Sequence, residues 1–93
     1  MTTLRVVLAD DETMFRGALA SLLSLEGDLE VVATASDGAE ALNAVVEHRP
    51  DVCILDLEMP VMDGIEAAQK ISKTVPCKIV ICTRHARPGV LRR

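Results

Sequence analysis

Val52-Cys53-Ile54-Leu55, closed by Asp56 where a turn-rich stretch runs on to Gly64, decides the fold. Four apolar residues without polar alternation suit a central strand covered on both faces. Upstream, Leu42, Val45 and Val46 put an apolar stripe on a helix. Ser36-Asp37-Gly38 starts that helix with a turn and a capping signal, Glu40 lies near its first turn, and Arg49-Pro50 ends it. Before it, Glu30-Val31-Val32-Ala33-Thr34-Ala35 reads as a strand. Earlier still, Leu4 to Ala9 is a short β-branched, mostly apolar run stopped by two acids. Between these runs Phe15, Leu19, Leu22 and Leu23 recur at helical spacing from Glu12 to about Leu25, with Gly27 as the stop. Downstream, Ile65, Ala68 and Ile71 mark a third helix and Lys78-Ile79-Val80-Ile81-Cys82 a fourth strand. Arg87-Pro88-Gly89 suits the start of a fourth helix. The β-α-β-α-β-α-β order with short connections implies right-handed crossovers and a mostly parallel sheet. With no internal repeat, linker or low-complexity segment, residues 1–93 are expected to form one domain.

Composition narrows the class. At 49% apolar and 26% charged residues the chain is too hydrophobic for a disordered tail. Phe15 is its only aromatic residue, so aliphatic side chains must carry the core. A net charge of −4 argues against direct nucleic-acid binding by this segment; Arg84, Arg87, Arg92 and Arg93 read as a solvated group. Cys53, Cys77 and Cys82 are odd in number and form no CxxC pair, and no signal peptide is read. A secreted disulfide framework or a zinc site therefore fits poorly; the three are expected to be small buried hydrophobes in a reducing cytoplasm. No apolar run approaches the ~18 residues that span a bilayer.

Chemistry concentrates at the strand ends. In an open α/β sheet the functional crevice lies at the carboxyl ends of the strands. Asp10 and Asp11 follow the first strand and Asp56 the third, so all three converge if those strands are neighbours. Crowded carboxylates repel, and a hard divalent cation such as Mg2+ compensates them. Asp10-Asp11 alone serves equally well as a helix N-cap; Asp56 at the end of a buried strand tips the reading toward a site. Thr83 ends the fourth strand, where its hydroxyl could donate to a phosphoryl oxygen, and Gly64 suits a tight turn near the pocket. His48 at a helix end and His85 in a loop have no catalytic setting.

Leu8-Ala9-Asp10-Asp11-Glu12, the run from Pro50 to Pro60, Met62-Asp63-Gly64 and Thr83 closely resemble receiver domains of two-component response regulators, over essentially the whole chain. The wording around them is similar to the NarL/FixJ branch, whose members usually carry a C-terminal helix-turn-helix domain. Thr83 followed by Ala86-Arg87-Pro88-Gly89 is similar to DesR-like regulators of membrane-lipid fluidity. The resemblance implies a flavodoxin-like (CheY-like) doubly wound α/β fold. It implies a cytoplasmic phosphoacceptor rather than an enzyme acting on a separate substrate, with a sensor histidine kinase as partner. Asp56 would accept the phosphoryl group. Asp11, Asp56 and the backbone carbonyl of Glu58 would hold Mg2+, with Asp10 assisting through water, and Thr83 would hydrogen-bond the phosphoryl group.

The sequence departs from the family at its end. It stops at Arg93, before the fifth strand whose terminal lysine pairs with the phosphoryl group, and neither Lys73 nor Lys78 takes that place. The expected sheet is therefore order 2-1-3-4, with the fifth strand and last helix missing. The apolar fourth strand would then be a bare edge, and self-association through it or through the face of the first helix is expected. Arg84, after Thr83 where the family is often small, either points to solvent or lies near the phosphoryl group. Two other readings compete. A haloacid-dehalogenase-type phosphohydrolase wants a second Asp where Glu58 stands, and a pseudo-receiver would keep the fold without phosphotransfer.

Overall fold

The apolar run at Val52–Leu55 lies where its composition demands, between two other strands. A computed structural model describes residues 3–82 of the chain. Strands β1 (Leu4–Ala9), β2 (Leu29–Ala35), β3 (Val52–Asp56) and β4 (Lys78–Cys82) alternate with helices α1 (Thr13–Ser24), α2 (Gly38–His48) and α3 (Gly64–Thr74). Among the described residues the sheet is parallel throughout, in the order β2-β1-β3-β4. This is the doubly wound order expected from the sequence. The chain moves one way from β1 to β2 and the other way from β2 through β3 to β4. Right-handed crossovers then set α1 on one face and α2 with α3 on the other. The start of a fourth helix expected at Arg87–Gly89 lies outside the described residues, as do Thr83, Arg84 and His85.

The pleat sorts the core. Val7, Ala9, Cys53 and Leu55 join Ala41, Val45, Ala67, Ile71 and Val75 in a single cluster beneath α2 and α3. Val6 and Leu8 are equally buried but point the other way, toward α1. A strand with both side-chain sets buried, like β1, must be central, and β1 pairs with β2 and β3.

Three details differ from the periodicity read in the sequence. The buried stripe of α3 is Gly64, Ala67 and Ile71, and Ile65 is exposed. The helix starts so close to the sheet that its first contact position has room only for Gly64. In α2 the buried line is Gly38, Ala41 and Val45, while Val46 faces outward. Helix α1 has no fully buried residue: Phe15, Leu19 and Leu23 are half-buried and Leu22 is exposed. Among the described residues its face of the sheet has one helix where the other face has two.

Local chemistry fixes the element ends. Asp37 and Asp63 cap α2 and α3, accepting the N–H of Glu40 and Glu66 at 2.8 Å each. Glu40 in turn takes the N–H and hydroxyl of Ser36, both at 2.9 Å, a close variant of the capping box. These contacts hold the Glu40 carboxyl below the usual carboxylate range, with the Arg16 guanidinium adding to them. Arg49 ends α2 in the left-handed region with φ 47°, and the Arg5 guanidinium donates to the carbonyls of His48 (2.6 Å) and Arg49 (3.2 Å). At the same end of the sheet, Asp51 accepts the Arg5 N–H on its carboxylate and donates its own N–H to the Arg5 carbonyl.

Of the three cysteines, Cys53 is buried as expected, and burial pushes its thiol up to about 12. Cys77, just ahead of β4, is half-buried, and Cys82, on the edge strand, is exposed. The expectation of three buried thiols therefore fails for Cys82.

Candidate functional site

Ala9 of β1 lies opposite Leu55 of β3, so the residues that follow, Asp10 and Asp56, leave the sheet at the same level. Asp11 comes next on the loop into α1. Carboxylate oxygens of Asp10, Asp11 and Asp56 lie within 4.8 Å of one another. Asp10 and Asp56 are 3% and 2% exposed, and Asp11 is exposed. The convergence expected from adjacent first and third strands is thus observed.

Neither acid of the pair caps α1. The N-cap is Glu12, whose side chain makes no capping bond, and Asp10 Oδ1 instead accepts the Glu12 N–H at 2.9 Å. The Asp10 N–H is taken by the Ala35 carbonyl at 3.0 Å, and the Asp10 carbonyl by Arg16 Nη1 at 2.8 Å. The capping alternative therefore gives way to a backbone turn that holds Asp10 beside Asp56.

The third side of the site is the loop from Leu57 to Asp63. Leu57 donates its N–H to the Cys82 carbonyl and accepts that of Gly64, both at 3.0 Å. Met59 is buried and anchors the loop in the core. A Cβ at Gly64 would collide with the Asp56 carbonyl, and one at Gly38 with the Met62 backbone. Gly64 has no positive φ, so it is needed for close approach rather than for the tight turn expected of it. The strained residue is Val61, at φ 68° between Pro60 and Met62, where the Met62 N–H reaches the Pro60 carbonyl at 2.6 Å. Glu58 lies on this loop with an exposed side chain, and Thr83 falls outside the described residues. The structure thus brings together Asp10, Asp11 and Asp56. The sequence reading passed over Arg16, took Gly38 only as part of a turn and gave Met59 no role; Gly38 and Arg16 carry no local signal of their contacts.

Three carboxylates at this spacing can bind a hard cation. Their donors are all oxygen, the type Mg2+ prefers, and two are buried where like charge is least screened. On this observation the residues fit the ion.

A doubly wound parallel sheet with an acidic cluster at the carboxyl ends of β1 and β3 defines the CheY-like class of α/β proteins. The family model described as the response regulator receiver domain matches residues 6–93. The chain belongs to that family, in its NarL/FixJ-type branch, whose domains are regulatory modules of two-component signalling. It is 48% identical over 88 residues to the transcriptional regulatory protein DesR of Bacillus subtilis, covering 95% of this chain and 44% of DesR. It is 49% identical over 82 residues to the oxygen regulatory protein NreC of Staphylococcus epidermidis, covering 86% of this chain and 38% of NreC. The chain spans less than half the length of these relatives. The signal receiver domain of the putative response regulator NarL from Mycobacterium tuberculosis superposes with a TM-score of 0.89 at 38% identity, covering 99% of this chain and 75% of that one. Among the described residues no helix is long and apolar enough to cross a membrane.

Proposed function

We propose that residues 1–93 act as one phosphoacceptor unit in which Asp56 takes a phosphoryl group from the phosphohistidine of a sensor histidine kinase. The observation that carries this reading is the cluster of Asp10, Asp11 and Asp56 at the carboxyl ends of two neighbouring strands. An Asp56 carboxylate oxygen attacks phosphorus; the P–N bond breaks with its electron pair going to the imidazole, and an aspartyl phosphate forms. Asp11, Asp56 and the Glu58 carbonyl would hold Mg2+, with Asp10 helping through water. When bound, the ion neutralises charge on the phosphoryl oxygens. Asp10, fixed by its bonds to Glu12, Ala35 and Arg16, keeps the pocket acidic without reorganisation. Thr83 is assigned the hydroxyl that meets the phosphoryl group, on sequence position alone.

The matched relatives are longer proteins. The relatives named as transcriptional regulators support a DNA-binding output controlled by this domain. Self-association is part of the reading: β4 is an edge among the described residues, with Val80 and Ile81 43% and 40% exposed, and Leu22 on α1 and Leu25 at its C-cap are exposed.

The test is intact-mass analysis after incubation with Mg2+ and acetyl phosphate, beside Asp56→Asn. A Mg2+-dependent gain of one phosphoryl group in the wild type, absent from the variant, is expected. A wild type that gains none overturns the phosphoacceptor role and favours the pseudo-receiver. A gain retained in Asp56→Asn moves the acceptor elsewhere.

A further inference from the structure

We propose that Arg16 is a positioning residue for the acid pair: its guanidinium fixes the peptide joining Asp10 to Asp11 and so aims Asp11 into the cluster. The inference rests on the metal-binding reading above and deepens it. Arg16 Nη1 donates to the Asp10 carbonyl oxygen at 2.8 Å. That oxygen shares one rigid plane with the Asp11 nitrogen and Cα, so holding it sets the direction in which the chain delivers Asp11. The other side of Asp10 is tied down by its N–H on the Ala35 carbonyl. Asp10 itself is buried and needs little more. Asp11 is exposed, so close packing contributes little to its direction, and the plane leading into it fixes the N–Cα bond from which its side chain departs.

Arg16 is placed for this by its own surroundings. It stands in the second turn of α1, half-buried, with its backbone N–H in the helix on the Glu12 carbonyl at 2.9 Å. Its charge also reaches Glu40, whose carboxylate is fixed on Ser36 at the end of β2. One guanidinium thereby ties α1 to the end of β1. Groups that orient a metal ligand without touching the ion typically change metal affinity by about 10- to 100-fold when removed.

The test is a Mg2+ titration of the full chain, without phosphodonor, read from the amide 1H–15N shifts of Asp11 and Glu12. Urea unfolding of each protein is measured alongside. Arg16→Gln is expected to weaken Mg2+ binding by about tenfold and to move the Asp11 amide in the metal-free protein. Arg16→Lys, which keeps a cationic donor, is expected to recover part of the affinity. Arg5→Gln is the control: Arg5 makes the same kind of contact to the His48 and Arg49 carbonyls at the far end of the sheet, and its loss should lower stability with no change in affinity. If Arg16→Gln does not fold, Arg16→Met, which keeps the apolar stem, carries the test. An Arg16→Gln or Arg16→Met variant that binds Mg2+ as tightly as wild type overturns the positioning role and leaves the site standing. A wild type with no saturable shift overturns the metal reading and this inference together.

Discussion

Replacing Asp56 with Asn removes one of three negative charges at nearly constant shape. The carboxylate oxygens concerned lie within 4.8 Å of one another. At an effective dielectric of about 20, unit charges at that separation repel by ~3.5 kcal/mol. The Asp10–Asp56 pair, with both side chains buried, feels most of this; the pair with Asp11 is screened because Asp11 is exposed. Against the relief stands the weaker acceptor strength of a neutral amide, since a hydrogen bond to a charged group is worth ~1.5–3 kcal/mol. The expected balance in EDTA is a variant more stable than wild type by ~0.5–2 kcal/mol, a rise in Tm of roughly 2–16 °C for a domain of this size. Magnesium should reverse the order. At a hundred times its Kd it stabilises the wild type by ~2.7 kcal/mol, and the variant by far less. Urea and thermal unfolding of both proteins, each with EDTA and with Mg2+, give the four values needed. An Asn variant that is less stable in EDTA and keeps the full Mg2+ increment would refute the electrostatic account of the cluster.

Other expectations follow from single contacts. The Glu40 carboxyl is held below its ordinary value of 4.5, chiefly by the Ser36 N–H, so it stabilises the fold above that pH and loses the contribution as the pH falls through its folded value. Wild type should therefore lose stability more steeply in acid than Glu40→Gln, and equal slopes in acid-induced unfolding would exclude the contribution. Thiol labelling near neutral pH should modify Cys82 first and Cys53 only after denaturation, since burial pushes the Cys53 thiol up to about 12. Light scattering should give a mass that rises with concentration and falls back in Val80→Lys, which puts a charge on the edge strand; a constant monomer mass rules self-association out.

The elements and the acid cluster were legible because each rests on local pattern. The apolar run before Asp56 and the Leu4–Ala9 run before Asp10 mark two strands and their carboxyl ends, and parallel order then brings the acids together. Helix faces were harder. Hydrophobicity favours Ile65 over Gly64 as a core position, yet Gly64 is buried, because the Asp56 carbonyl leaves no room for a side chain there. On α1 the leucine spacing names the inward line but not its depth, and Leu22 remains outside it. Arg16 gave no sequence signal, since its contact is to a backbone carbonyl six residues earlier.

The hydrogen bonds at Asp51 have a consequence for how the site is assembled. Val52 to Leu55 is apolar at every position, so hydrophobicity alone does not tell one register of β3 against β1 from the next. The ladder is pinned at its other end. Asp51 exchanges bonds with Arg5 on one side, and its carbonyl takes the Lys78 N–H on the other. From that pin the strand advances five residues, roughly 16 Å, before Asp56 emerges beside Asp10. A slip of one place would turn Asp56 to the opposite face and leave the acid pair without its third member. An aspartate remote from the chemistry therefore serves as the ruler against which the acceptor is measured out.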